Sequence, residues 1–129
     1  MGGDSIYPEE LKYTKDHEWV RVVDNVAEIG ITNYAQDQLG DVVYVDLPNI
    51  GEEVIAGKVF GSIESVKAVS ELFSPIGGRI VDVNSALSEH PEVVNSQPHV
   101  TWMVKIEIPS SGSTSELLDH NQYTQLVNG

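Results

Sequence analysis

Short segments of alternating apolar and polar residues recur along the chain and end at turn-forming residues. Residues 19–23 are rich in strand formers, Asp24 and Asn25 follow as a turn, and Val26–Ile31 alternates again. This pattern predicts a β-hairpin. Similar segments recur roughly every eight to twelve residues, a spacing typical of a β-sandwich or barrel. Further strands are predicted at 41–47, on both sides of a turn within 63–73, at 79–83 and at 101–108.

Short helical segments are predicted between some of these strands. Thr32 and Asn33 are residue types that cap helices, and residues 34–39 follow them. We expect Gly40 to end this helix in the left-handed αL conformation. Residues 84–96 contain short helical turns that are interrupted by a proline.

A longer helix is predicted near the C-terminus, at about residues 115–127. Ser113 and Glu116 have the spacing of a capping box, which marks the start of a helix. The chain has 129 residues, a length that suits one domain with a substantial core. We therefore predict an N-terminal extension at 1–10 and a single domain at 11–129.

The charge and the cysteine count narrow the possible functions. Seven Lys and Arg residues stand against twenty Asp and Glu residues, for a formal net charge of −13. Nucleic acid is bound by clustered Lys and Arg, so this class of partner is not expected; a partner with a basic docking face suits the charge better. No apolar segment approaches the ~20 residues that span a bilayer. The absence of cysteine excludes a disulfide framework, a thiolate zinc site and a cysteine nucleophile.

The sequence does not match the motifs of common enzymes, because the spacing of the residues differs. The segment from Gly51 to Lys58 has one residue too many for a P-loop, and no Ser or Thr follows it. His17 and Glu18 are not followed by a second histidine at the spacing of a zinc protease. We predict neither a catalytic constellation nor a metal site, which favours a carrier or binding module.

One lysine stands apart in the predicted turn. Lys67 is the only basic residue between Lys58 and Arg79. At the tip of a hairpin, its ammonium group would project into water, free of packing. Such a lysine is commonly no more than a solvated surface residue. An exposed amine can also be acylated, which removes its charge and adds a long arm, and the spacing alone leaves both readings open.

The residues around this lysine resemble the lipoyl attachment motif of the glycine cleavage system H protein family. The matching residues are Glu64, Ser65, Val66, Lys67 and Ala68, with residues 74–78 after them. Blocks at 11–20, 30–41, 45–48 and 102–106, and residues 116–118 with Tyr123, are also similar to the family. These separate matches occur in the right order and cover nearly the whole chain.

The resemblance implies a mainly β fold, the lipoyl-domain barrel-sandwich hybrid with short helices and a C-terminal helix. It implies that Lys67 carries lipoic acid in amide linkage, on an arm of about 14 Å. In the family that the chain resembles, the lipoyl dithiolane accepts an aminomethyl group from a pyridoxal-phosphate glycine decarboxylase. An aminomethyltransferase passes the one-carbon unit to tetrahydrofolate, and dihydrolipoamide dehydrogenase reoxidises the dithiol. A lipoyl or octanoyl ligase or transferase would attach the group, and the chain would be a non-catalytic carrier.

In the family, the loaded arm can fold into a cleft on the carrier surface. By position, Glu18 and Gln38 are expected near this cleft. One loop departs from the family pattern: residues 97–101, before Trp102, are one residue shorter and lack two glycines. Because glycine permits positive φ angles, we expect this loop to follow a different path.

Other carriers fit the motif less well. A biotin domain would place Met on both sides of Lys67, and a lipoyl domain of a 2-oxo acid dehydrogenase typically has Asp before it. An H-like protein that relays octanoyl or lipoyl groups, or regulates other lipoyl enzymes, would have the same motif and stays open. An unmodified binding module also stays open. We expect a monomer, cytoplasmic if the source is bacterial and in the mitochondrial matrix if this is a mature eukaryotic form.

Overall fold

The computed structural model describes residues 7–109 and 117–128. Within these residues the chain forms nine β-strands, three α-helices and one 3-10 turn. The strands are β1 Lys12–Tyr13, β2 Glu18–Val23, β3 Val26–Ile31, β4 Val42–Asp46, β5 Glu53–Val54, β6 Val59–Ser65, β7 Val69–Phe73, β8 Gly78–Val83 and β9 Val104–Glu107. The helices are α1 Asn33–Leu39, α2 Val93–Ser96 and α3 His120–Asn128, and the 3-10 turn is Ser85–Ser88.

The strands form two antiparallel sheets. The larger sheet has the order β1-β2-β3-β9-β8-β5, and the smaller has the order β4-β6-β7. Both predicted hairpins, β2–β3 and β6–β7, are present with their strands paired antiparallel. The prediction of a mainly β fold with two sheets, short helices and a C-terminal helix is confirmed.

The main core draws apolar side chains from both sheets. The alternation that predicted the strands places one face of each strand inward, as the pleat of a strand requires. Leu87 and Val94, from the helical turns at 84–96, add to this core. The core members from the strands include Val20, Ile29, Ile31, Val42, Val45, Phe60, Ile63, Leu72, Ile80, Val104 and Ile106.

A second, aromatic cluster lies on the outer part of the larger sheet. It consists of Tyr7, Leu11, Tyr13, Trp19 and Tyr123, all of them buried. The rings of Tyr13 and Tyr123 stack with centroids 4.7 Å apart, which attaches α3 to β1. Tyr7 packs edge-on against both rings, so the described end of the predicted N-terminal extension packs against the domain.

Helix α3 begins later than predicted. The prediction of 115–127 is wrong at its start, because Leu118 forms a β-bridge with Tyr13 and the helix begins only at His120. The predicted capping residues Ser113 and Glu116 lie outside the described residues. The reciprocal cap is formed by Asp119 and Gln122, each of whose side chains accepts from the backbone N–H of the other at 2.8 and 2.9 Å. Among the described helices, none is both long and apolar enough to cross a membrane.

Strand β9 is also shorter than predicted. Residues 101–103 precede it, and Met103 still donates its N–H to the carbonyl of Ile29 at 2.7 Å. The carbonyls of Trp102 and Met103, however, accept from Asn84, so this part of the chain leaves the regular ladder. From Val104 onward the alternation holds, with Val104 and Ile106 buried.

Candidate functional site

Lys67 lies in the turn between β6 and β7, as predicted. The turn is organised by Ser65, whose side chain is buried. Its Oγ accepts hydrogen bonds from the N–H groups of Lys67 at 3.2 Å and Ala68 at 3.0 Å, and donates to the carbonyl of Ala68 at 3.2 Å. A serine hydroxyl has one donor and two acceptor sites, so all three are used to shape the turn.

A backbone contact supports the turn from the side of α1. The N–H of Val66 donates to the carbonyl of Asp41 at 3.0 Å. Next to it, a Cβ atom built on Gly40 would stand 3.4 Å from Lys67 Cε and 3.9 Å from Cδ. The aliphatic part of Lys67 therefore lies over Gly40, although the residue as a whole is exposed. The expectation of a lysine free of packing is wrong for this part of the side chain.

Gly40 ends helix α1, but not in the predicted αL conformation. Its φ of 79° and ψ of −160° fall in a region that is essentially restricted to glycine. This conformation turns the chain sharply enough for Asp41 to face the lysine turn. Glycine therefore suits position 40 for two reasons. It can adopt this backbone conformation, and it has no side chain that would contact the stem of Lys67.

Asn95 of α2 holds this corner in place. Its Oδ1 accepts from the N–H of Val42 at 2.8 Å. Its Nδ2 donates to the carbonyl of Gly40 at 2.9 Å and to Gln36 Oε1 at 3.0 Å. The end of α1, the linker to β4 and the start of β4 are therefore fixed by one side chain. Sequence reasoning missed Asn95, because no local pattern indicates a contact with residues more than fifty positions away.

A cleft of about 310 Å³ opens beside the lysine turn. Ala68 and Val69, the two residues after Lys67, form part of its wall. The predicted residues Glu18 and Gln38 both line it. Its other lining residues are apolar (Ile31, Ala35, Leu39, Ile63 and Leu72), acidic (Asp16 and Glu71) or polar (His17, Tyr34 and Ser70).

Glu18 is buried in the wall of this cleft, with 2% of its surface exposed. Thr14 Oγ1 donates to one carboxylate oxygen at 2.7 Å, and the N–H of Phe73 donates to the other at 3.2 Å. Burial raises the pKa of Glu18 to about 7, while these two hydrogen bonds oppose the rise. An ordinary surface role for Glu18 is thereby excluded. Thr14 was not identified from the sequence. It precedes Glu18 by only four residues, in the same turn, and this short spacing could have indicated a contact between the two side chains.

The loop at 97–101 packs over the larger sheet. The carbonyl of Pro98 accepts from Trp19 Nε1 at 2.8 Å. His99 Nε2 accepts from the N–H of Asn33, the first residue of α1, at 3.0 Å. Burial lowers the pKa of His99, which favours the neutral ring that this acceptor role requires. That the loop follows a different path from the family's stays a prediction.

Two antiparallel sheets with an exposed lysine at a hairpin turn are the arrangement expected of a lipoyl-type carrier domain. The family model described as glycine cleavage H-protein matches residues 11–129. The chain belongs to this family.

Similar proteins with the same description occur in different organisms. A glycine cleavage system H protein of Staphylococcus epidermidis is 53% identical over 121 residues, which are 93% of this chain and 96% of that protein. One of Bacteroides thetaiotaomicron is 48% identical over 124 residues, 95% of this chain and 98% of that protein. The crystal structure of a glycine cleavage system H protein from Mycobacterium marinum superposes with a TM-score of 0.86 at 36% identity, covering 95% of this chain and 99% of that one.

The protein is a lipoyl carrier of the glycine cleavage system. The alternative of an H-like relay or regulatory carrier is not favoured, since these relatives are all described as glycine cleavage proteins.

Proposed function

We propose that Lys67 carries the lipoyl group in amide linkage, and that the arm uses the cleft bordered by Glu18 and Gln38. One observation carries this proposal: an exposed lysine at a rigid hairpin tip has a cleft beginning at the very next residues. Lipoic acid bound there supplies a dithiolane that accepts the aminomethyl group derived from glycine.

The lysine turn suits recognition by a modifying enzyme. A lone lysine carries too little information for specific modification, so the enzyme must read the surrounding shape. Ser65 and the Asp41 carbonyl hold the backbone of the turn, and Glu64 stands exposed just before it. No ion pair links Lys67 to another residue in the described part of the chain, which leaves its amine accessible for acylation.

The cleft suits a long apolar arm with a cationic end. Its volume of about 310 Å³ lies at the lower end of the range of about 300–1,000 Å³ for small-molecule sites. Apolar side chains form much of the wall, which matches the hydrocarbon of a lipoyl chain. Asp16, Glu18 and Glu71 give one part of the wall acidic character, which complements the ammonium of an aminomethyl group.

The wider role follows from the family. We propose that the chain is a shared substrate of glycine decarboxylase, the aminomethyltransferase and dihydrolipoamide dehydrogenase, with no turnover of its own. The net charge of −13 would favour encounters with partners that have basic docking faces. Tethering the cofactor gives it a high effective concentration at each docking event. The bacterial relatives support a cytoplasmic location.

A substitution at the tip tests the proposal in a reconstituted system. Lys67→Arg keeps the charge but cannot form the amide, so we expect normal folding and loss of glycine-dependent NAD reduction. Lys58→Arg is the matched control, since Lys58 is also an exposed lysine near β6. Retention of activity in Lys67→Arg would overturn the proposal, and equal loss in both variants would overturn the assignment to Lys67.

A further inference from the structure

A buried hydrogen-bonded group joins the C-terminal helix to the cleft. The hydroxyl of Tyr123, on α3, lies 2.7 Å from His17 Nδ1 and 2.7 Å from Thr32 Oγ1. Tyr123 is completely buried, so water does not compete for its hydroxyl. Nothing in the attachment motif or in the expected cleft residues involves Tyr123 or Thr32.

The chemistry of the three groups decides the direction of these hydrogen bonds. A phenol is a more acidic donor than an alcohol, and a neutral imidazole nitrogen is a stronger acceptor than a hydroxyl oxygen. The most favourable arrangement therefore has Tyr123 donating to His17 Nδ1. Thr32 Oγ1 already accepts from the N–H of Ala35 at 3.2 Å as the N-cap of α1, and its own proton is free to be donated to the Tyr123 oxygen.

The backbone and the ring of His17 are both held in place beside the cleft. Its N–H donates to the carbonyl of Thr14 at 3.0 Å, and its carbonyl accepts from the N–H of Thr32 at 3.0 Å. Its φ is 73°, an uncommon backbone conformation for a residue other than glycine. The ring packs on Tyr34, with centroids 4.5 Å apart, and both residues line the cleft.

We propose that Tyr123 is a positioning residue of the cleft: its hydroxyl holds His17 as the Nε2–H tautomer and gives the cleft a fixed hydrogen-bond donor. Because burial lowers the pKa of His17, the neutral ring is favoured, and in that ring a proton excluded from Nδ1 must reside on Nε2. Nε2 makes no hydrogen bond to the described residues, so it remains available to an acceptor atom of the arm. Adjacent residues would then supply a donor, His17, and an acceptor, Glu18.

This role rests on the proposed use of the cleft, but its structural part can be tested without any lipoyl group. The unmodified protein is labelled with ¹⁵N-histidine, and the ring nitrogens of His17 are observed by NMR. We expect the Nε2–H tautomer in the natural sequence. Tyr123→Phe should give a mixture of tautomers, because the donor to Nδ1 is gone. The matched control is Tyr13→Phe, whose lost hydroxyl donates to the carbonyl of Pro8 within the same cluster.

The effect of Tyr123 on the arm is measured on protein whose lipoyl group carries the aminomethyl group. Intact mass over time measures how fast the aminomethyl group is lost to water, and we expect Tyr123→Phe to speed this loss about two- to tenfold, the range that one hydrogen bond spans. Tyr13→Phe should behave as the natural sequence. An Nδ1–H tautomer in the natural sequence, or equal effects of the two substitutions, would overturn the positioning role. Absence of a lipoyl adduct on Lys67 would instead overturn the proposed function and leave the tautomer result intact.

Discussion

The side chain of Lys67 runs over Gly40, the residue that ends helix α1. The two residues meet because β6–β7 and the α1–β4 linker are joined by the hydrogen bond from the Val66 N–H to the Asp41 carbonyl. A Cβ on Gly40 would stand 3.4 Å from Lys67 Cε. Lys67, which we propose as the attachment residue, is therefore exposed as a whole and supported along its stem.

Replacing Gly40 tests the importance of this support. Gly40→Ala places a Cβ on a residue with a φ of 79° and a ψ of −160°, which we expect to cost about 1–3 kcal/mol of stability and to slow acylation of Lys67. Gly51→Ala is the control: its φ is also positive, at 99°, but a Cβ there would meet nothing within 4 Å. Both variants should lose stability in chemical denaturation, and only Gly40→Ala should be acylated slowly. Equal acylation rates would show that the contact is incidental.

Asn95 should control the rigidity of the same corner. Asn95→Ala removes hydrogen bonds to Gly40, Val42 and Gln36, and we expect a loss of about 2–3 kcal/mol in the free energy of unfolding. Hydrogen exchange at the Val66 N–H should become faster than global unfolding explains. Asn84→Ala, which removes a hydrogen bond to the Trp102 carbonyl, should leave exchange at Val66 unchanged in conditions of matched stability.

Glu18 should make stability depend on pH. Its pKa is raised from 4.5 to about 7 in the folded protein, so its contribution to stability is fully present below about pH 4.5 and is lost as the pH rises through about 7. Glu18→Gln removes this dependence. Its free energy of unfolding relative to the natural sequence should therefore rise by on the order of 2–3 kcal/mol between pH 5 and pH 8.

A substitution at Thr14 should shift the pH range over which Glu18 affects stability. Its hydroxyl donates to the Glu18 carboxylate and favours the ionised form. Thr14→Val should therefore move the pH window upward, whereas Thr14→Ser, which keeps a hydroxyl, should not. The free energy of unfolding of Glu18→Gln relative to the natural sequence could instead stay constant from pH 5 to pH 8. That result would contradict the claim that burial raises the pKa of Glu18.

The sequence predicted those features that depend on neighbouring residues. The β6–β7 hairpin and its tip at Lys67 follow from the alternation and the turn within one short segment. Thr32 could be predicted as the N-cap of α1 for the same reason, since a cap depends on residues that are close in the sequence. The family resemblance placed Glu18 near the cleft, but neither its burial nor its hydrogen bond from Phe73, 55 residues away, could be predicted from local pattern.

The remaining features depend on tertiary packing. Tyr123 reaches His17 across 106 positions of sequence, and Asn95 reaches Gly40 across 55. The start of α3 was misplaced because Leu118 pairs with Tyr13, and a β-bridge to a distant strand overrides the local preference for helix. Asp119 and Gln122, by contrast, have the spacing of a capping box in the sequence itself, a local signal that the prediction from Ser113 and Glu116 overlooked.

The most direct test of the central claim is the mass of the protein and of its Lys67 peptide, taken from cells supplied with lipoate and an active lipoylating enzyme. We predict one adduct with the mass of a lipoyl group, located on Lys67 and absent from Lys58. A chain that stays unmodified under these conditions, or an adduct on a different lysine, would contradict the assignment of Lys67 as the carrier residue.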